Sequence, residues 1–344
     1  MASDDRKPES PKSPTDPSNN PFLTGSIADI DRSITSLVNL RSMYPRTRPE
    51  YNKWVCLLAN ERWARYELSR DKQDSDKGIV HCTEAILLMP VSWVEHPGNV
   101  VRLLFSLANR LLERFRQFEQ PKDVKYSIEY LRYLRGLALD SLHISRNDVI
   151  SSLTRALASQ DQKSEAGSRA RNIKEMLILC RELLTSNVSA DFPVAAFRAL
   201  SGAINIECFQ GQGRVDAQLG DQIVDCVRDA VKMCPPDFHF VFYALACTLR
   251  TRFAITDSND DYKEATALVD KILDPNQPGE CPDEIWGQTL LLGAELALVK
   301  FNVCRKPQYS ELAISRLRTA LSSPSIPELQ RPLLYNALAR QVRI

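Results

Sequence analysis

Four pairs of small residues, each 19 positions apart, constrain this chain more than any other feature. They are Ala59 with Gly78, Ala108 with Ser127, Ala246 with Ala265 and Ala294 with Ala313. The stretch Leu104–Arg132 shows what surrounds such a pair. Leu104, Leu107, Ala108, Leu111 and Phe115 recur at three- and four-residue intervals and share one helical face. Gln120, Pro121 and Lys122 interrupt the pattern, and Ile128, Leu131 and Leu134 restart it. Two amphipathic helices with a short polar turn are predicted, the small residues marking where two helix backbones approach closely.

A second spacing travels with the first. A cation–aromatic pair ends each first helix: Arg65-Tyr66, Arg114-Phe115, Arg252-Phe253 and Lys300-Phe301. Nine residues after the first three cations stands an acid, Asp74, Asp123 and Asp261, whereas the fourth unit has Tyr309. Each acid reads as the N-cap of its second helix, neutralised across the turn by the arginine. As partly exposed pairs these would contribute about 0–1 kcal/mol each.

The first small residues stand 49, 138 and 48 positions apart, and the long gap leaves room for two further units. Such self-similarity predicts an all-α, right-handed α-solenoid of about six helix-pair repeats over residues 23–344. A compact globule of 344 residues would call for two or three domains, but an array adds core with each unit.

Residues 1–22, rich in Pro, Ser, Asp and Lys, cannot bury enough apolar surface to offset ordering entropy and read as a disordered tail. Ser10-Pro11 and Ser13-Pro14 are candidate proline-directed phosphorylation sites, and Asn20-Pro21-Phe22 resembles the tripeptide ligand of EH domains. Predicted helices follow at 27–44, with Asp29 as cap, 51–66, 75–89, 100–118 and 123–139. A third, degenerate unit has a short helix at 148–158, a polar loop at 159–171 and a second helix at 173–184. Helices at 194–209 and 217–233 flank a Gly-rich loop, and 238–253 with 262–273 and 284–301 with 308–321 form the last two pairs. Pro332–Val342 reads as a further first-type helix, leaving the array without a polar capping helix.

Composition narrows the class. Net charge is +1, so no global field steers nucleic acid or anionic membrane toward the chain. Nine cysteines without a CxxC favour reduced thiols and a cytoplasmic protein. No apolar run approaches the roughly 20 residues of a membrane span. His81 adjoins Cys82, but neighbours on a helix point to different faces and cannot form a nucleophile–base pair. Gly211 and Gly213 form a lone GxG without a preceding strand, and no HExxH or paired Cys/His spacing indicates zinc. Arg110, Arg114 and Arg116 are expected to be offset by Glu113 and Glu119, and Trp54, Trp63, Trp93 and Trp286 to lie in core or turns. No catalytic residue, cofactor or metal is assigned.

The small residue followed 12 positions later by proline (Ser33 to Pro45, Gly78 to Pro90) is similar to the second helix of the tetratricopeptide repeat, or TPR. LANRLLERF followed by Asp-x-x-x-Ser-Ile resembles the TPR-type repeats of large fungal proteins, which accompany CHAT (caspase-like protease) or nucleotide-binding switch domains. The first helix departs from the TPR pattern, and the gap between the small residues is longer than in a 34-residue repeat, so that helix or turn has grown by about two turns. The resemblance implies a non-catalytic scaffold or regulatory module that binds a protein or peptide partner in a concave groove. The alternative is the front part of a longer fungal protein whose CHAT domain lies elsewhere. RNA binding ranks below both, and oligomeric state is left open. In TPR domains that clamp a peptide carboxylate, an Asn follows the small residue of successive first helices. Here Asn60 follows Ala59 and Asn109 follows Ala108, but Cys56 and Phe105 stand where the clamp has Lys. Asn60 and Asn109, with Trp63, Glu113, Tyr243 and Arg250, form the candidate peptide-binding set.

Overall fold

A computed structural model describes residues 26–88, 97–137, 144–161, 166–185, 196–197, 199–201, 217–234, 239–274, 281–322, 331, 335 and 338. The tail with Ser10, Ser13 and Asn20-Pro21-Phe22 lies outside the described residues. So do Pro90, Trp93, His96, His143, Cys208, Gly211 and Gly213, and all of Pro332–Val342 except Tyr335 and Leu338.

Every described element with defined bounds is an α-helix. They are α1 (Ile27–Ser42), α2 (Pro49–Ser69), α3 (Lys72–Leu87), α4 (Pro97–Phe118), α5 (Pro121–Arg135), α6 (Arg146–Asp161) and α7 (Ala166–Thr185). There follow α8 (Ala217–Met233), α9 (His239–Thr256), α10 (Asn259–Leu273), α11 (Asp283–Cys304) and α12 (Pro307–Ser322). The predicted loop at 159–171 is mostly helix. α6 runs on to Asp161 and α7 starts at Ala166, because burial of Ser159 and Asn172 and the bond from Asn172 Nδ2 to Gln160 Oε1 (3.1 Å) outweigh the polar composition.

The chain divides into two compact units, Met1–Tyr130 with Ser141–His143 and Leu131–Asp140 with Ile144–Ile344. In the first, α2 packs on both α1 and α3, and α3 on α4. In the second, consecutive helices from α6 to α12 pack in sequence, and α9 also meets α11.

The small residues sit where the spacing demands. Ala59, Ala108, Ala246 and Ala294 are each 0 % exposed. Ser127 Oγ donates to Ala108 O at 2.8 Å, and a Cβ added to Gly78 would lie 3.4 Å from Ala59 O. Ala294 and Ala313 share one core cluster with Leu290, Ala297, Leu317 and Ala320. A larger side chain at any of these positions would push the paired backbones apart.

The turns repeat as closely as the contacts. Arg70, Glu119, Asp257 and Arg305 stand eleven residues after the four alanines, and all four have φ between 54° and 56°. Each ends a first helix in the left-handed conformation, its N–H bonded to the carbonyl four residues back: Tyr66, Phe115, Phe253 and Phe301, at 2.7–2.9 Å. The aromatic of the cation–aromatic pair therefore supplies the capping carbonyl as well as a buried ring. One more residue follows and the second helix begins, with Pro121 and Pro307 at its first position.

The acids are not the caps. Asp71 caps α3, accepting from Gln73 N at 2.9 Å, and Ser258 caps α10, accepting from Asp261 N at 3.4 Å. Ser26, not Asp29, caps α1, with Asp29 completing a capping box. Asp74, Asp123 and Asp261 each stand at the third helical position and are buried to 2 % exposure. The expected arginines do hold them: Arg114 and Arg252 with two hydrogen bonds each, and Arg65 through Nη1 on Asp74. The same three arginines also reach an acid at the fifth position of the preceding second-type helix, Asp31, Asp76 and Asp221. Each guanidinium thus ties three helices. The carboxylates' burial takes these pairs out of the surface class expected above.

Candidate functional site

α2 presents Glu50, Lys53, Leu57 and Asn60 at three- and four-residue intervals on one face, while Val55, Leu58 and Ala59 are buried on others. α4 sets Asn99, Arg102, Leu103 and Ser106 opposite them. Between the two first-type helices lies a groove of about 570 Å³, with Cys56 also on its wall. This is within the volume range of small-ligand and peptide pockets. The structure describes it within the first unit alone.

One turn past Ser106, Arg110 bridges the two helices. Its Nη1 donates to Ala59 O at 3.2 Å and its Nη2 to Asn60 Oδ1 at 2.7 Å. The guanidinium lies 5.4 Å from the Trp63 ring centroid and is 7 % exposed. No described carboxylate lies within 4.0 Å of it. Glu113 instead accepts from Gln117 (3.3 Å) and faces Arg70 (3.9 Å), so the expected offset of Arg110 by Glu113 is absent. Burial draws the Arg110 pKa below its ordinary value, since its bonds go to neutral oxygens. Lys53 and Arg102, both exposed, also make no ion pair among the described residues; Lys53 lies over the Trp54 ring and Arg102 donates to Asn99 Oδ1 at 2.5 Å.

Of the candidate set, only Asn60 lines the groove. Its Oδ1 is taken by Arg110, and its Nδ2 has no acceptor among the described residues. Asn109 Nδ2 donates to Phe105 O in its own helix at 2.9 Å. Trp63 donates to Glu67 at 3.1 Å and joins Asn60 through their shared contact with Arg110. In the second unit, Tyr243 packs half-buried against Phe242, Ile272 and Ile285, and Arg250 is 7 % exposed and paired with Glu295 at 3.3 Å. Sequence reading missed Lys53, Leu57, Arg102, Leu103 and the bridging role of Arg110. The signal was there for α2: residues 50, 53, 57 and 60 share a helical face that the core residues do not use.

His81 and Cys82 do not converge. Cys82 Sγ contacts Leu103 O at 3.7 Å while His81 Nδ1 lies 3.7 Å from Glu84. Burial pushes the thiols up, Cys56 to about 11 and Cys226 to about 12, with Cys82 also raised and Cys180 well above its ordinary value. The described cysteines are free thiols. Among the described residues no cluster of three or more His, Cys, Asp or Glu is placed to hold a metal, and no helix is long and apolar enough to cross a membrane.

No family model matches the chain, and no curated protein matches it. The solved structures similar to it include these two. One is the S. pombe nuclear import adaptor Nro1, at 13 % identity and a TM-score of 0.41, covering 82 % of this chain and 98 % of that one. The other is described as the hypoxic regulator of sterol synthesis Nro1, a nuclear import adaptor, at 14 % identity and 0.41, covering 90 % and 99 %.

Proposed function

We propose that the chain is a non-catalytic protein-interaction scaffold whose helix pairs are TPR-like repeats, each unit a stretch of right-handed α-solenoid, and that a partner's peptide segment lies in the α2–α4 groove. The observation that carries this reading is the groove itself. Two successive first-type helices bury their other faces against α1 and α3, yet leave Leu57 and Leu103 on an open channel rimmed by the polar groups of Glu50, Lys53, Asn60, Asn99 and Arg102. Peptide-binding surfaces have this composition, an apolar floor with a few polar groups that set orientation. The raised thiol pKa values count against a cysteine nucleophile, and nine scattered cysteines without a CxxC support a cytoplasmic, reducing setting. The wording of the repeats supports the likeness to large fungal TPR-type proteins, and residues 23–344 belong to one array in this reading.

Filling the groove tests it. Leu57→Arg with Ser106→Arg alters half-exposed side chains and is expected to leave the thermal melt unchanged. Quantitative affinity capture from cells is expected to lose at least one specific partner by tenfold or more. Retention of every wild-type partner at wild-type level overturns the assignment of the groove.

A further inference from the structure

We propose that the groove recognises an internal, extended acidic segment of a protein, with an apolar side chain seated between Leu57 and Leu103 and carboxylates on Lys53 and Arg102. This rests on the groove being the binding site.

Charge is the first argument. The protein as a whole is nearly neutral, at +1. Many of its helix-borne arginines are held on carboxylates, Arg65, Arg114, Arg228 and Arg252 among them. The cations of the groove are not among them. Lys53 and Arg102 make no ion pair with a described carboxylate, Arg110 lies buried at its end on neutral oxygens, and Glu50, three residues before Lys53, is the one acid among the lining residues. The cations have low-dielectric surroundings on one side, where an incoming carboxylate gains more than it would in open water.

Shape is the second. The α2 wall runs from Glu50 to Asn60, about 15 Å at 1.5 Å per residue. That length takes roughly four or five extended residues. One cation stands on each wall, flanking the apolar floor, so charge is offered along the channel. A terminal carboxylate would need donors gathered at one point. Asn109 is turned to Phe105 O, Asn60 Oδ1 is held by Arg110, and Lys53 and Arg102 stand on opposite walls. A nucleic-acid strand would want aromatic platforms for its bases, and none of the lining residues is aromatic.

The test uses the full chain and two phage-displayed random heptapeptide libraries, one with the heptamer embedded between fixed flanks and one with a free C-terminal carboxylate. The embedded library is expected to enrich Asp and Glu at least threefold over input. Lys53→Glu with Arg102→Glu, both at exposed positions, is expected to abolish that enrichment and to weaken the best acidic peptide at least tenfold. Rising salt is expected to weaken it as well. Four results overturn the inference: selected peptides not enriched in acids, acidic enrichment that survives the double variant, binders from the free-carboxylate library alone, or displacement of the peptide by oligouridine. Peptides of other composition that are lost in Leu57→Arg with Ser106→Arg would leave the groove reading standing while this inference falls. A library yielding no binder, or only binders indifferent to that filled groove, would remove both.

Discussion

Arg114 holds Asp123 with two parallel hydrogen bonds of 2.7 Å, Nε to Oδ2 and Nη2 to Oδ1, across the two-residue turn between α4 and α5. Its Nη1 reaches Asp76 on α3, also at 2.7 Å. One planar cation thereby fixes the first helix to its own partner and to the second helix of the unit before it. Fork-on-carboxylate geometry suits this, because the donors are rigidly spaced. Burial pulls the Arg114 pKa down, but its bonds to Asp123 and Asp76 more than restore it, and the net shift is upward.

Asp123→Ala removes a carboxylate that is 2 % exposed and leaves the guanidinium, itself largely buried, with one acid. Breaking a buried pair from one side costs roughly 3–5 kcal/mol, and the remaining bond to Asp76 places the expected loss at about 3 kcal/mol. Urea unfolding checks it. A loss under about 1 kcal/mol would return the pair to the surface class.

Asp257 ends α9 with φ 55°, a conformation in which a Cβ crowds the following carbonyl. Asp257→Gly relieves that contact, at a smaller cost in unfolded-chain entropy, and is expected to stabilise the protein by about 0.5–1 kcal/mol. Chemical denaturation of the single variant decides the sign.

His81 has its pKa lowered below 6.5, chiefly by burial and then by Arg41. The unfolded chain binds the proton more readily than the folded one, so this residue withdraws stability as pH falls through 6.5 and withdraws no more once the folded pKa is passed. His81→Gln is expected to flatten that part of the profile. Melts of both proteins between pH 7.5 and 5.0 measure it; parallel curves would show that His81 does not contribute.

Gly293 makes room for Arg316. A Cβ there would come within 3.0 Å of Arg316 Cδ and Cζ, and Arg316 Nη2 bonds Asp270 at 2.7 Å. Gly293→Ala is expected to displace the guanidinium and break this tie between α12 and α10. The expected loss is about 1 kcal/mol, part of it offset by the better helix propensity of Ala. The same substitution made on Arg316→Ala should instead stabilise, and a double-mutant cycle separates the two effects.

How legible this was differs by feature. The helix pairs were readable because apolar periodicity and small-residue spacing are properties of neighbouring positions; α8 has the bounds the periodicity gave, Ala217–Met233. The caps were misread for a physical reason. An acid nine residues after an arginine suits a cap, but caps are decided by backbone conformation at the turn. There Arg70, Glu119, Asp257 and Arg305 adopt a left-handed conformation that none of their side chains announces. The tie to the preceding unit was invisible too. Asp31, Asp76 and Asp221 lie 34, 38 and 31 residues before the arginines they meet, at no constant offset.

The amino-acid order alone determined that this chain forms paired helices, and where their backbones touch, because helical periodicity and side-chain size act over a few positions. Only the tertiary structure decided which charges are spent and which are left over. Arg114 and Arg110 are four residues apart on one helix face, yet the first meets two carboxylates and the second meets Ala59 O and Asn60 Oδ1. That difference comes from which neighbouring helix each side chain reaches, and ion pairing depends on distances in space.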